Sequence, residues 1–304
     1  MVGLVVALGV DGAAAPGADG GAPPGGTTSY GGTVVLVKPS VGGPAVGGAS
    51  DWTHVESVLA MLQRQPPSEP LVVLLGGSAA RESTTRDQGP GSWAADVAAA
   101  GGGDVYTYNL GTRMQSFEKS LEIVKYLPRA TLVFIGVNLG RFAQRQGDPR
   151  VRLPQTLPGD SYLQHTYTFR DIHTDASKAI LVQRWLGQSY THFKERYVYN
   201  ARRLTELVEE CKQRGLHPVL LDLPRNLDVI GHVLDKPLAR MTTTCMRIAA
   251  AQHVPWVSFV AKAHIPSSGF YDQWHMVEPG QTLWQKYLSA ATVQMLAAYP
   301  QTGG

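Results

Sequence analysis

An apolar run, Leu71–Leu75, stops abruptly at two glycines and Ser78, and few folds accommodate such a pattern. Five consecutive branched aliphatic residues bounded by glycine are typical of a strand that is buried on both faces at the centre of a parallel sheet. Residues 79–82 are good helix formers, so the pattern predicts Ser78 at or just before a helix N-terminus. Backbone N–H groups are unpaired there and favour negative charge. Ser78 is therefore either a helix cap or a hydroxyl placed to act as a nucleophile.

Strand and helix patterns alternate along the chain. Strands are predicted at 71–75, 104–109, 131–138, 217–223 and 254–260. Helices are predicted from 51 to the residue before Pro66 and at 92–100, 116–126, 190–214, 237–252 and 278–299. This alternation predicts a doubly wound, five-stranded parallel sheet, in which ligands bind at the carboxyl ends of the strands. Ser78, Gly111 and Asn138 each follow or end a predicted strand, so we expect them to converge.

Residues 1–50 form a segment rich in Gly, Pro and Ala that carries few charges. Such a composition buries too little apolar surface to offset the entropy of ordering, so it predicts a disordered leader. Residues 1–10 are apolar but too short to cross a bilayer, and no Lys or Arg precedes them as in a secretory signal. We expect a single domain at 51–304 without an integral membrane segment, secreted or at the cell surface, with a cytoplasmic location as the alternative.

The alternation of strands and helices is interrupted between residues 139 and 187. This stretch is polar and irregular, with several prolines and many aromatic or histidine residues. Connections of that length inside a domain are uncommon and often act as lids or binding loops. We predict an insertion at 139–187 that faces the substrate and is partly helical at 176–186.

The charge of the chain excludes one class of partner. The net charge is +3, and the Lys and Arg residues form no basic cluster along the sequence. Because nucleic-acid surfaces concentrate positive charge on one face, the sequence predicts no nucleic-acid partner.

Two cysteines, Cys211 and Cys245, fall in helices that flank one predicted strand. Right-handed crossovers place such helices side by side on one face of the sheet. The two residues are therefore compatible with a disulfide, which would favour an oxidising compartment, and equally with two buried thiols.

A second polar motif, Asp272-x-x-His275, lies near the C-terminus. On a helical turn residues three apart share a face, so the carboxylate can orient the imidazole. An ester-cleaving serine enzyme needs a nucleophile, a base, an acid that fixes the base, and donors for the oxyanion. Ser78, His275 and Asp272 supply the first three, and the N–H groups of Ser78 and Gly111 with the Asn138 amide supply the donors.

Each of these residues also has a structural interpretation. Asp272 and His275 are compatible with a pair on a surface loop, Asn138 with a cap at a strand end, and Gly111 with a turn that needs positive φ. Arg81 and Glu82 lie one helical turn from Ser78 and either bind substrate at the mouth of a pocket or form a surface ion pair. His173, with Asp171 and Asp175, has no recognised ligand spacing, so the sequence predicts no metal site there.

In combination and in this order, the motifs resemble those of the SGNH (GDSL-type) hydrolase family. The matching blocks are Ser78, Gly111, Gly136-x-Asn138 and Asp272-x-x-His275. The resemblance covers residues 71 to 290. It implies a three-layer α/β/α sandwich, a Ser78–His275–Asp272 triad, and hydrolysis or transfer of an acyl group through a serine ester, without metal or organic cofactor.

Two positions depart from the common family pattern. The first block is Gly-Gly-Ser where many members have Gly-Asp-Ser, and Leu139 follows Asn138 in place of Asp. Gly-Gly-Ser is similar to divergent branches that acylate or deacylate cell-surface polysaccharides. The resemblance therefore implies an esterase acting on a small acyl group of a carbohydrate or other small alcohol. The alternatives are an acyltransferase that uses the same triad to acylate a glycan, and a carbohydrate-binding protein that keeps the fold without turnover.

Overall fold

In the computed structural model, the described residues are 50–84, 91–145, 147–157 and 173–299, and they are built on a five-stranded parallel sheet. The strands are β1 Leu71–Leu75, β2 Tyr106–Asn109, β3 Leu132–Val137, β4 His217–Asp222 and β5 Trp256–Val257. Their order in the sheet is β2-β1-β3-β4-β5, which is the doubly wound, flavodoxin-like order. The predicted α/β fold is confirmed. The predicted leader lies outside the described residues, apart from Ser50.

Helices cover both faces of this sheet. The α-helices are α1 Asp51–Arg64, α2 Ser78–Arg81, α3 Gly91–Ala99, α4 Phe117–Val124, α5 Leu139–Ala143, α6 Asp175–Arg184, α7 Tyr190–Gln213, α8 Leu227–Ile230, α9 Asp235–Gln252, α10 Val260–Ala263 and α11 Glu278–Ala298. A π-helical turn, Trp185–Ser189, joins α6 to α7, and a 3-10 turn spans Ser267–Gly269. Helix α7 packs on α4 and α9, whereas α3 packs on α11. In the described residues none of these helices is long and apolar enough to cross a membrane.

Strand β1 lies between β2 and β3, as its apolar sequence predicts. All five of its side chains are buried, and Val72 is in register with Thr107 of β2 and Leu132 of β3. Strand β5 is shorter than the predicted run at 254–260, because the chain leaves the sheet after Val257 and turns into α10. The carboxyl ends of β1 and β3 are therefore neighbours, which brings the residues that follow them together.

The turn from β1 into α2 depends on a close approach of the backbone. A Cβ atom at Gly76 would lie 2.5 Å from the Cβ of Ala80 in the first turn of the helix. The Gly76 N–H donates to the side-chain oxygen of buried Gln115 at 2.9 Å. Gly77 is the N-cap, and Ser78 is the first helical residue. The turn thus fixes the direction in which the Ser78 side chain leaves the sheet.

The connection after β3 is more ordered than the sequence predicts. Helix α5 begins directly after Asn138, whose side-chain oxygen accepts from the Arg141 N–H at 3.0 Å. The expectation of irregular structure from residue 139 is therefore wrong at its start. The predicted helix at 176–186 is present as α6 with the π-helical turn. Residues 146 and 158–172 of the predicted insertion lie outside the described residues.

The two cysteines lie on helices that pack together, α7 and α9. Both Cys211 and Cys245 are buried free thiols in this structure. Burial raises the pKa of each thiol well above its ordinary value, which disfavours the reactive thiolate. The structure therefore shows the second of the two arrangements that the sequence allows.

Candidate active site

Three side chains form a continuous hydrogen-bonded chain at the carboxyl edge of the sheet. The Nε2 atom of His275 lies 2.8 Å from Oγ of Ser78, and its Nδ1 atom lies 2.7 Å from Oδ2 of Asp272. Ser78 is half-buried, the His275 side chain is a quarter exposed, and Asp272 is buried. The structure thus brings together residues that are 197 positions apart in the sequence.

Asp272 and His275 face one another because of a bend in the chain, and not because they share a face of a helical turn. The Oδ1 atom of Asp272 accepts from the N–H groups of Trp274 at 2.7 Å and His275 at 2.8 Å, so the carboxylate itself folds the bend. A β-bridge between Phe270 and Met276 closes its base. The predicted helical turn is wrong, although the contact between the two side chains is present.

The electrostatics of the pair favour a charged carboxylate and a basic imidazole. Burial lowers the pKa of His275, but the hydrogen bond and negative charge of Asp272 outweigh it, and Glu82 adds to them against the opposing charge of Arg113. The net pKa lies above its ordinary value. For Asp272, burial raises the pKa, but the hydrogen bond and charge of His275 and two backbone N–H groups bring the net pKa below its ordinary value. Such a carboxylate holds the ring with Nε2 toward Ser78.

Ser78 and His275 open onto a cleft of about 360 Å³. Its walls come from the first turn of α2, from the β3–α5 connection, from the π-helical turn and α7, and from the bend that carries the triad histidine. The lining residues are Gly77, Ser78, Ala79, Met114, Asn138, Gly140, Arg141, Ala143, Gln144, Arg145, Trp185, Ser189, His192, Arg196, Trp274 and His275. Trp185 of the π-helical turn belongs to the predicted insertion, so the C-terminal end of that insertion forms part of the cleft wall.

Of the three predicted oxyanion donors, Ser78 and Asn138 line the cleft and Gly111 does not. The Asn138 side-chain oxygen is held by the Arg141 N–H, and this contact fixes the orientation of its amide group. The Gly111 N–H donates to Oδ1 of Asn109 at 3.0 Å, and a Cβ atom on Gly111 would lie 2.6 Å from the Arg81 nitrogen. Gly111 is thus a site of close backbone packing under α2, without positive φ. Its predicted donor role has no support in this geometry.

Arg81 and Glu82 occupy neither of the positions considered from the sequence. Both are buried, with 5% and 2% of their surface exposed, and neither lines the cleft. Arg81 forms an ion pair with Asp51 at 2.8 Å and lies 3.6 Å from Glu82. The ion pair between Arg81 and Asp51 therefore ties α2 to α1. Glu82 acts on the site through its negative charge, which helps to raise the pKa of His275.

Arg141, which no sequence pattern indicates, lines the cleft and is buried, with 1% of its surface exposed. Its guanidinium donates to the backbone oxygens of Gly136 at 2.8 Å, Ser116 at 3.1 Å and Gln115 at 3.3 Å, and to Oγ of Ser120 at 2.7 Å. These contacts join the ends of β3 and α4 to α5. A basic residue in a polar stretch resembles a surface residue, so no sequence signal marked it.

The predicted absence of a metal site concerned His173, Asp171 and Asp175. Asp171 lies outside the described residues. The ring of His173 packs on Tyr271 with centroids 4.6 Å apart, and Asp175 accepts hydrogen bonds from Ser267 and from Lys178. The described part of the chain holds no cluster of three His, Cys, Asp or Glu residues arranged for a metal ion.

The 3-10 turn that precedes the bend carrying His275 packs on α11 through backbone atoms of two glycines. A Cβ atom on Gly280 would lie 2.2 Å from the Gly269 oxygen, which already accepts from the Val277 N–H. We expect Gly280→Ala to lower the free energy of unfolding by about 1 to 3 kcal/mol, because neither backbone segment can move freely. Urea denaturation measures this change. Gly187→Ala, with open space around its added methyl group, is the control. Equal stability of the two variants would contradict the prediction.

Comparisons with known proteins give similarity at the level of solved structures only. No family model matches the sequence, and no curated protein matches it. An acetylxylan esterase from Geobacillus stearothermophilus is 13% identical with a TM-score of 0.44, over 73% of this chain and 94% of that protein. An inferred acylhydrolase from Bacteroides fragilis is 13% identical with a TM-score of 0.43, over 78% of this chain and 95% of that protein.

Proposed function

We propose that this protein is a serine esterase of the SGNH type. The observation that supports the proposal is the unbroken contact from Ser78 Oγ to His275 Nε2 at 2.8 Å and from His275 Nδ1 to Asp272 at 2.7 Å, at the edge of a cleft. A serine, a histidine and a carboxylate in this order form the constellation that activates a hydroxyl as a nucleophile. The motif order from Ser78 to His275 and the flavodoxin-like sheet support placement in the SGNH family.

The geometry supports a two-step reaction. Ser78 Oγ attacks the ester carbonyl carbon while its proton passes to His275 Nε2, and the negative charge of the oxyanion is stabilised by the Ser78 N–H and the Asn138 side-chain NH₂. The bond to the alcohol oxygen then breaks, and the alcohol leaves with the proton from His275. In the second step His275 takes a proton from water, whose oxygen attacks the acyl-serine. The acid is released and Ser78 recovers its proton.

We further propose a small acyl group on a carbohydrate or other small alcohol as the substrate, and a secreted or cell-surface location. The cleft of about 360 Å³ combines two indole side chains with several polar groups, which suits a small polar ester better than a long acyl chain.

Incubation with an acetylated oligosaccharide and product analysis tests this substrate class. Release of acetate supports it, whereas cleavage restricted to long-chain esters contradicts it. Transfer of the acetyl group to an added sugar would identify acyl transfer on the same triad.

Covalent labelling tests the nucleophile directly. We expect a fluorophosphonate to label the folded protein on Ser78, because among the described serines of the cleft only Ser78 forms a hydrogen bond with a histidine. Ser78→Ala should lose the label. Ser189→Ala is a matched control, since Ser189 lines the same cleft but forms no hydrogen bond with a triad residue in the described part of the chain. Peptide mapping that places the label on Ser189, or a Ser78→Ala protein that is still labelled, would overturn the assignment.

The raised pKa of His275 predicts the pH dependence of the reaction. His275 must be neutral to accept the serine proton, so kcat/KM should fall as the pH drops through its pKa, with an inflection above pH 6.5. Asp272→Asn removes the largest cause of the raised pKa and should move the inflection to lower pH while lowering the plateau. Glu195→Gln, which alters the partner of the exposed His192, should leave the inflection unchanged. An inflection below 6.5 in the unmodified protein would contradict this prediction.

A further inference from the structure

The lining of the cleft is rich in positive charge. Arg145 and Arg196 line it, together with His192. Among the described residues that line the cleft there is no Asp or Glu. His192 has its own carboxylate partner, Glu195, at 3.4 Å, so the unbalanced charge at the surface of the wall comes from the two arginines.

The two arginines are available to a ligand to different degrees. Arg196 is half-buried, and one of its nitrogens donates to the Ala143 backbone oxygen at 3.0 Å. A guanidinium has five N–H donors, so this contact orients the group and leaves donors for a ligand. Arg145 is exposed and forms no ion pair within the described ranges. Arg196 is thus a preorganised cation in the cleft lining, and Arg145 is an exposed cation there.

A third positive charge in the cleft lining is buried. Buried Arg141 is bound by backbone oxygens and Ser120, and no carboxylate of the described residues forms an ion pair with it. Burial lowers the pKa of Arg141 to about 9, so the group stays charged at neutral pH. A cation in a poorly solvated wall is weakly screened, and its field extends into the cleft. The three arginines therefore act in the same direction on a bound molecule.

We propose that the cleft selects esters that carry a negative charge, such as an acyl ester of a carboxylated sugar, with Arg196 and Arg145 binding the anion. This inference rests on the proposed esterase function and names the substrate class of the same site. Arginine is suited to this role because its planar fork pairs with a carboxylate through two parallel hydrogen bonds. An uncharged ester would leave the guanidinium groups without that partner.

Binding to the Ser78→Ala protein tests the inference separately from catalysis. One probe pair is an O-acetylated methyl glucuronoside and its carboxamide, which differ in charge on the alcohol half. A second pair is a succinyl ester of methyl glucoside and its succinamoyl counterpart, which differ on the acyl half. We expect the anion of at least one pair to bind about tenfold tighter by calorimetry, with the preference falling as salt is raised from low to high concentration. The pair that shows the preference identifies the half that carries the charge.

Variants in the same background assign the preference to its residues. Arg196→Gln should remove most of the difference between anion and carboxamide, and Arg145→Gln should reduce it by about threefold, as expected of a more exposed cation. Arg202→Gln is the matched control, because it removes the same charge from α7 at a position outside the cleft. It should leave the preference unchanged.

The outcomes separate this inference from the esterase proposal. Equal binding of the charged and uncharged probes in both pairs overturns it, as does a preference that survives in both Arg196→Gln and Arg145→Gln. Either result leaves fluorophosphonate labelling of Ser78 and hydrolysis of neutral esters unaffected. If the unmodified protein were neither labelled nor able to hydrolyse esters, the esterase proposal would be overturned. Charge-selective binding by the Ser78→Ala protein would still support an anion site.

Discussion

Replacing His275 by Ala is expected to lower kcat for a reactive acetyl ester by about 10⁴- to 10⁶-fold. Without the imidazole, the Ser78 proton has no acceptor at 2.8 Å, and the leaving alcohol has no donor. The double variant Ser78→Ala, His275→Ala should be no slower than the worse single variant, because the two residues act as one unit. Burst and steady-state measurements with a chromogenic acetyl ester determine both rates.

His192→Ala provides a control inside the same cleft. His192 lines the cleft and has a carboxylate partner, like His275, but it forms no hydrogen bond with a serine in the described part of the chain. Its replacement should change kcat by less than about tenfold. If His192→Ala were as damaging as His275→Ala, or if the losses at Ser78 and His275 were multiplicative, the two residues would not act as nucleophile and base.

The sequence predicts the centre of the fold because its signals are local. Leu71–Leu75 is apolar on both faces and is followed by two glycines, and only the middle of a parallel sheet buries such a strand fully. Strand β3, which is apolar along its whole length, ends close to its predicted residue for the same reason. The apolar run that predicts a strand at 254–260 is longer than β5, in which only Trp256 and Val257 are paired. The run continues because Val260 and Ala263 belong to a short helix that also buries apolar side chains.

The site was predictable only where residue type alone limits the role. Ser78, Asp272 and His275 are residues whose combination implies chemistry, and the structure places them in contact. The sequence did not predict the local contact of Gly111, because its N–H donates to the side chain of Asn109, and nothing in the sequence distinguishes Asn109 from other strand residues. Side-chain contacts to the backbone depend on the packing around them and leave no periodic pattern in the sequence.

Arg141 was missed for a related reason, and its replacement is expected to have the largest effect on stability. Arg141→Met should lower the free energy of unfolding by about 3 to 5 kcal/mol, since it removes charged hydrogen bonds to several buried oxygens. The backbone oxygens of Gly136 and Ser116 and the hydroxyl of Ser120 would lose a donor inside the fold. Urea denaturation with an unchanged slope measures the loss.

Two further variants separate the charge of Arg141 from its hydrogen bonds. Arg141→Lys keeps the charge but cannot reach all four acceptors, so its stability should lie between those of Arg141→Met and the unmodified protein. Arg145→Met removes an exposed arginine four residues away and should change stability by less than about 0.5 kcal/mol. A loss of less than about 1 kcal/mol in Arg141→Met would mean that the cost of burying the cation offsets its hydrogen bonds. The main effect of Arg141 would then be its positive charge beside the cleft, because its contribution to the stability of the fold would be small.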